Sequence, residues 1–106
     1  MKTTFRILLV VLAIAFTLST RMFAADAAAD YKAKCASCHG AEGKGDTAMG
    51  KAMKVKDLAS DEVQKQSDAD LTAIILKGKK PMPGYEGKLT PEQIAGIVKY
   101  LRALKK

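Results

Sequence analysis

Cys35-Ala36-Ser37-Cys38-His39 decides how the rest of this 106-residue chain is read. The spacing is C-x-x-C-H, that of covalent haem attachment. Two thiols three positions apart on a turn of helix can each add across one vinyl group on a haem edge. The adjacent imidazole then lies under the iron as its proximal ligand. Rival chemistries fit less well. A thioredoxin-like C-x-x-C needs a βαβ setting, and no parallel strand is legible. A structural zinc site needs four ligands, whereas Cys35, Cys38 and His39 are the only cysteines and histidine in the chain. A disulfide between Cys35 and Cys38 closes too short a loop to stabilise much.

The segment leading into the motif, Asp30 to Cys38, has helix-forming composition and ends at Gly40. Tyr31 and Cys35, four apart, share one helix face. Beyond the motif, Gly40, Gly43, Gly45 and Gly50 read as a loop wrapping past the haem edge. It lacks the order of a phosphate-binding loop. Lys51 to Asp57 reads as a short helix and a turn. A clearer helix starts at Ser67, where Ser67-Asp68-Ala69-Asp70 resembles a capping box. Leu71, Ile74 and Ile75 form its buried face, and Gly78 ends it. Lys79 to Gly87 (KKPMPGYEG) is irregular because of its prolines and glycines. The last helix is announced by Thr90 as N-cap, Pro91 in the first turn and Gln93 completing a T-x-x-Q box. Ile94, Ile97, Val98, Leu101 and Leu104 make its apolar stripe, and Arg102, Lys105 and Lys106 complement the dipole at its end. The expected fold is all-α.

At the other end of the chain, Lys2 and Arg6 precede an unbroken apolar run, Ile7 to Phe16. Arg21 follows too soon for a comfortable membrane span, so residues 1–24 read as an export signal. Cleavage is expected after Ala24, with Ala25-Asp26-Ala27 as a second A-x-A site and an uncleaved anchor as the alternative. Of the 18 basic residues, Lys2, Arg6 and Arg21 lie in this segment, which leaves 15 against 11 acidic residues. The expected domain, 25–106, is therefore basic, and at 82 residues it is short for a self-sufficient core. A haem supplies the missing apolar mass.

An iron held by His39 needs a second axial ligand, and no other histidine exists to provide it. Methionine, lysine, tyrosine or water remain as candidates. Met82 is favoured, because Pro81 and Pro83 fix φ on both sides and stiffen the loop that must hold a weak thioether ligand. The competing reading of Met82 is a gap-filling core side chain. Met49 and Met53 lie in a helical-looking segment and are expected in the core.

CASCHG, followed at this distance by MPGYEGKLTPEQIAGIVKYL, resembles the small class I cytochromes c, namely the short bacterial carriers and the photosynthetic carriers of algae and cyanobacteria. The resemblance runs from about Ala28 to Leu104. It implies the cytochrome c fold, three to four helices around one covalently bound haem c, with Cys35 and Cys38 attaching it and His39 and Met82 ligating iron. It also implies crossed terminal helices with Tyr31 and Tyr100 at the crossing. In the family a proline-bearing loop often supplies the carbonyl that accepts from the proximal imidazole. This chain has no proline there, and the loop of residues 40–50 is the expected substitute.

The expected role is a monomeric electron-transfer carrier outside the cytoplasm (periplasmic in a Gram-negative cell), not an enzyme. Its partners are redox proteins, acidic if Lys77, Lys79 and Lys80 rim the exposed haem edge. Nucleic-acid binding and stable membrane insertion after signal cleavage are not expected. A haem sensor with a displaceable Met82, or a subunit of a larger redox complex, are the alternatives. Covalent attachment makes a direct prediction: the intact mass of denatured protein should equal the processed chain plus one haem. Haem that extracts freely into acidified organic solvent would contradict it.

Overall fold

Thr90 sets the last helix in place. Its hydroxyl accepts from the Gln93 N–H, and the Gln93 side chain accepts from the Thr90 N–H at 2.8 Å. Pro91 follows in the first turn, where its missing donor leaves no intrahelical bond unmade. The helix so started turns Ile94, Ile97, Val98 and Leu101 into the core.

This is a computed structural model, and it describes Arg6 and residues 26–105. The expected signal segment therefore lies outside the described residues apart from Arg6, as do Met22 and the Ala24–Ala25 junction. In chain order the helices are α1 (26–34), α2 (Ala36–His39), α3 (Ala48–Met53), α4 (Asp61–Gln64), α5 (Asp68–Lys77) and α6 (Pro91–Ala103). Among the described residues β-pairing is limited to the isolated bridges Lys79–Met82 and Glu86–Leu89. The chain is all-α, as its pattern predicts, with α2 and α4 as added single-turn pieces.

α1 and α6 cross closely. A Cβ on Gly96 would stand 3.3 Å from that of Ala27, so the missing side chain lets the helices approach. Beyond this point the Tyr31 and Tyr100 rings meet at 4.9 Å between centroids, tilted by 36°. Tyr31 is 1% exposed, and its hydroxyl donates to the Gly40 carbonyl at 2.7 Å. The aromatic pair implied by the family resemblance is therefore present, and one member also ties the end of α2 to the helix crossing.

α5 begins as the sequence indicates: the Ser67 hydroxyl accepts from the Asp70 N–H, and Gly78 caps the other end at φ +79°. Leu71 and Ile75 enter the same core as the α6 stripe. Arg102 has a larger role than complementing a helix dipole. Its guanidinium donates to the carbonyls of Gln64 and Gln66 and to the Asp68 carboxylate. Gln64 in turn donates to the carbonyls of Leu58 and Leu101. One planar fork thus satisfies the last carbonyls of α4 and pins the α4–α5 junction onto α6.

The structure departs from the sequence reading in three places. The helix expected through Asp30 to Cys38 is interrupted at Cys35, whose φ of −118° lies outside helical values. α4 was not expected; Ser60 caps it by accepting from the Val63 N–H, and Val63 is its buried residue. Met49 and Met53 are not in the core: they are 51% and 37% exposed. α3 rests on the rest of the molecule through Gly50, its buried residue, and not through its methionines.

Arg102→Ala should destabilise the folded protein by about 1–3 kcal/mol, the range for losing charge-assisted bonds to partly buried carbonyls. Arg102→Lys should recover little of this, because a point charge cannot serve three acceptors in one plane. Denaturant unfolding of both variants tests this; full recovery by lysine would refute it.

Candidate functional site

Between α2, α5 and the loop before α6 lies a cavity of about 370 Å³. Its walls are mostly apolar, built from Val55, Leu58, Val63, Leu71, Ile74, Ile75, Ile97 and Leu101. Cys35, Cys38 and His39 line it on one side, and Pro81, Met82 and Pro83 also line it. All four residues singled out from the sequence, Cys35, Cys38, His39 and Met82, therefore face a common space. Tyr31 and Tyr85 complete the wall.

The motif is held from behind by backbone packing. A Cβ on Gly50 would lie 2.3 Å from the Cys38 carbonyl oxygen and 2.7 Å from that of Gly45. Only a glycine admits α3 this close to α2. The Thr47 hydroxyl donates to the Cys38 carbonyl at 3.1 Å and accepts from the Gly50 N–H at 2.8 Å, capping α3 and the end of α2 together. The Gly45 N–H donates to the His39 carbonyl at 2.7 Å. The Gly40–Gly50 loop is thus a backing for the motif, and its residues do not line the cavity.

Cys35 and Cys38 are not bonded to each other. Burial pushes the Cys35 thiol up to about 11, with the Asp30 carboxylate and Cys38 adding to the effect. A redox-active C-x-x-C needs the opposite, a depressed thiol that ionises near neutrality. Burial lowers His39, which keeps the imidazole neutral at pH 7, the form that ligates a metal. Its Nδ1 is buried without a hydrogen-bond partner, so no carbonyl of the 40–50 loop acts as the expected acceptor.

Met82 sits in a loop folded back on itself. Met82 N–H donates to the Lys79 carbonyl at 2.8 Å, and Lys79 N–H donates to the Met82 carbonyl at 3.1 Å. The Lys80–Pro81 peptide is cis. Gly78 and Gly84 admit close main-chain contact at the two ends of this turn. A Cβ on Gly78 would lie 2.6 Å from the Met82 carbonyl oxygen, and one on Gly84 2.6 Å from that of Leu76. The Tyr85 and Glu86 N–H groups donate to the carbonyls of Ile75 and Leu76, in the last turn of α5. The loop is irregular but tightly held.

The cations at the cavity are lysines: Lys34, Lys54, Lys56, Lys79 and Lys80 line it, with no aspartate or glutamate among the lining residues. Lys56 is paired with Glu62. Lys77 is exposed on α5 but is not part of the lining. Met53 reaches the cavity as well, a placement its expected burial in the core did not anticipate. Sequence reasoning also missed Tyr85, Gly50 and Gly84; the aromatic after M-P-G and the glycines were signals that spacing alone could not assign.

The residues fit a haem on the structure's own terms. They supply two thiols at the C-x-x-C spacing, an imidazole on the same wall that burial keeps from protonating, and mostly apolar walls around a space of ligand size. Residues 23–101 match the family described as cytochrome C oxidase, cbb3-type, subunit III. The chain belongs to the c-type cytochromes. It is 35% identical to cytochrome c6 of Nostoc sp. over 105 residues, covering 95% of this chain and 92% of that protein. Cytochrome c6 of Picosynechococcus sp. is 32% identical, with 95% and 92% covered. Among solved structures the KustC0563 c-type cytochrome superposes with a TM-score of 0.69 at 32% identity, covering 74% of this chain and 96% of that one. These likenesses place the chain in the small class I group, whose fold the described helices reproduce.

Gly84→Ala should cost about 1–3 kcal/mol, because the added methyl meets main-chain atoms that cannot rotate away. Chemical denaturation checks this, and an unchanged midpoint would show that the Met82 loop backs off freely.

Proposed function

We propose that the chain is an electron-transfer carrier holding one haem c, bound covalently through Cys35 and Cys38, with His39 and Met82 as axial ligands of the iron. The observation that carries this reading is the presence of all four side chains on the walls of one apolar cavity. A haem held by these residues would supply one-electron redox chemistry. The protein's contribution is to keep the ligands still. The paired backbone bonds of Lys79 and Met82 and the glycine contacts at Gly78 and Gly84 hold the thioether, while α3 and the 40–50 loop back the imidazole. The walls are mostly apolar, and we read the site as serving electron transfer and not substrate turnover.

Residues 1–24 are read as an export signal and 25–106 as the haem domain, acting outside the cytoplasm. Ala27 supports cleavage upstream of it: it is 6% exposed and packed beside Gly96, so the α1–α6 crossing uses it. Among the described residues no helix is long and apolar enough to cross a membrane. The expected partner is a redox protein with an acidic docking face, met by Lys34, Lys54, Lys79 and Lys80 at the cavity. The family description names an oxidase subunit. Similarity over most of their length to proteins named cytochrome c6 supports the carrier reading over that of an oxidase subunit.

Met82→Ala should lower the reduction potential by more than about 59 mV, the one-electron equivalent of a tenfold shift in preference between oxidation states, because the soft sulfur that favours ferrous iron is gone. It should also open the ferrous protein to carbon monoxide, which the parent binds poorly near neutral pH. Met53 reaches the same cavity, so Met53→Ala is the informative control. A potential that moves with Met53 and not with Met82 would reassign the ligand. Fast, stoichiometric carbon monoxide binding by the parent would replace the carrier reading with that of a haem sensor.

A further inference from the structure

The cavity divides the molecule into a half bearing the thiols and imidazole and a half bearing Met82. Across its mouth the Tyr85 hydroxyl donates to the Lys34 carbonyl at 2.9 Å. Lys34 is the last residue of α1 and the one immediately before Cys35. Every other hydrogen bond of residues 78–89, among those described, returns to the same loop or to the end of α5. The Tyr85 hydroxyl is therefore the polar tie between the Met82 loop and the Cys35–His39 half.

Tyr85 is well placed to act as a rigid strut. Its N–H donates to the Ile75 carbonyl at 2.9 Å, and its own carbonyl accepts from the N–H groups of Lys88 and Leu89. Its main chain is thus fixed on both sides, three residues after Met82. The ring lines the cavity and is partly buried, so its two soft torsions are restrained by packing. A phenylalanine would reproduce everything here except the bond to Lys34.

We infer that Tyr85 is a positioning residue: its hydroxyl latches the Met82 loop across the cavity mouth and holds Met82 against displacement by outside ligands. This rests on the proposed ligation by Met82 and adds what keeps that ligand in place. An exposed side chain to main-chain bond is a modest restraint. Its loss should act on how often the loop opens, leaving the fold and the covalent attachment intact.

The test uses ferric holoprotein and imidazole as the probe, with Tyr85→Phe, Met82→Ala and Tyr100→Phe compared to the parent. Tyr85→Phe should bind imidazole roughly three- to tenfold faster, as follows from losing one such bond. Amide exchange at Lys79 and Met82 should rise by a similar factor, while Tyr100→Phe changes neither. Met82→Ala should bind fastest of all. If Met82→Ala speeds binding and Tyr85→Phe does not, the latch is refuted and the ligation reading stands. If Met82→Ala leaves the rate unchanged, the ligation reading fails. Exchange at Lys79 and Met82 then decides the latch alone: unchanged in Tyr85→Phe, it is refuted; faster, the hydroxyl does clamp the loop.

Discussion

Tyr31 joins two requirements that a chain of this length must meet with very few residues. Its ring closes the α1–α6 crossing against Tyr100, and its hydroxyl holds the Gly40 carbonyl at the end of the haem-attachment motif. A buried phenol left without an acceptor would cost the molecule a full desolvation penalty. Burial pushes this hydroxyl well above the usual phenol range, with the nearby Cys35 thiol adding to the effect. Because the same side chain serves the crossing and the motif, α2 cannot shift relative to α6 without breaking one of them. The cavity wall that carries His39 inherits its position from the helix packing.

That packing also shapes the site. The core formed by Tyr31, Val63, Leu71, Ile75, Leu89, Ile94, Ile97, Val98 and Leu101 supplies several apolar walls of the cavity beside the motif. A chain this short buries little apolar surface by itself, and a haem held by the groups that line this cavity would add to it. The polar ties lie on the flanks of this core. Arg102 and Gln64 close one flank by taking up main-chain carbonyls, and Thr47 closes another by capping α3 and the Cys38 carbonyl at once.

The parts legible in the sequence are those set by local rules. The Thr90–Gln93 box, the Ser67 cap, the Gly78 stop and the α6 stripe each depend on residues within a few positions of one another, and the structure has all of them. Tyr31 and Tyr100 were legible only through the family resemblance, since nothing local pairs residues so far apart. What stayed illegible involves close approach between distant segments. Gly50, Gly84 and Gly96 look alike in sequence, yet each admits a different neighbour. The exposure of Met49 and Met53 follows from Gly50 being the side of α3 that must press on α2, a fact that a hydropathy pattern counts the wrong way round. Arg102 looked like a dipole partner because its three acceptors lie more than thirty residues away.

The two halves of the site are secured by different physics. The imidazole side is held by main chain packed on main chain, where Gly50 brings α3 against the Cys38 carbonyl and the Thr47 hydroxyl ties the two together. Such contacts change little unless the backbone itself moves. The Met82 side has a tight turn as its local frame, but that turn projects from the end of α5 and leans across a cavity. For the thioether proposed here as a ligand, weak and neutral, retention would depend more on how rarely its loop opens than on the strength of the bond to iron. Prolines at 81 and 83 reduce the conformations open to the loop when it is loose. The Tyr85 hydroxyl acts instead on the closed form, by joining the loop to the opposite wall. Restricting the open ensemble and bonding the closed one are independent contributions to the same equilibrium. The Met82 loop is therefore restrained from both ends.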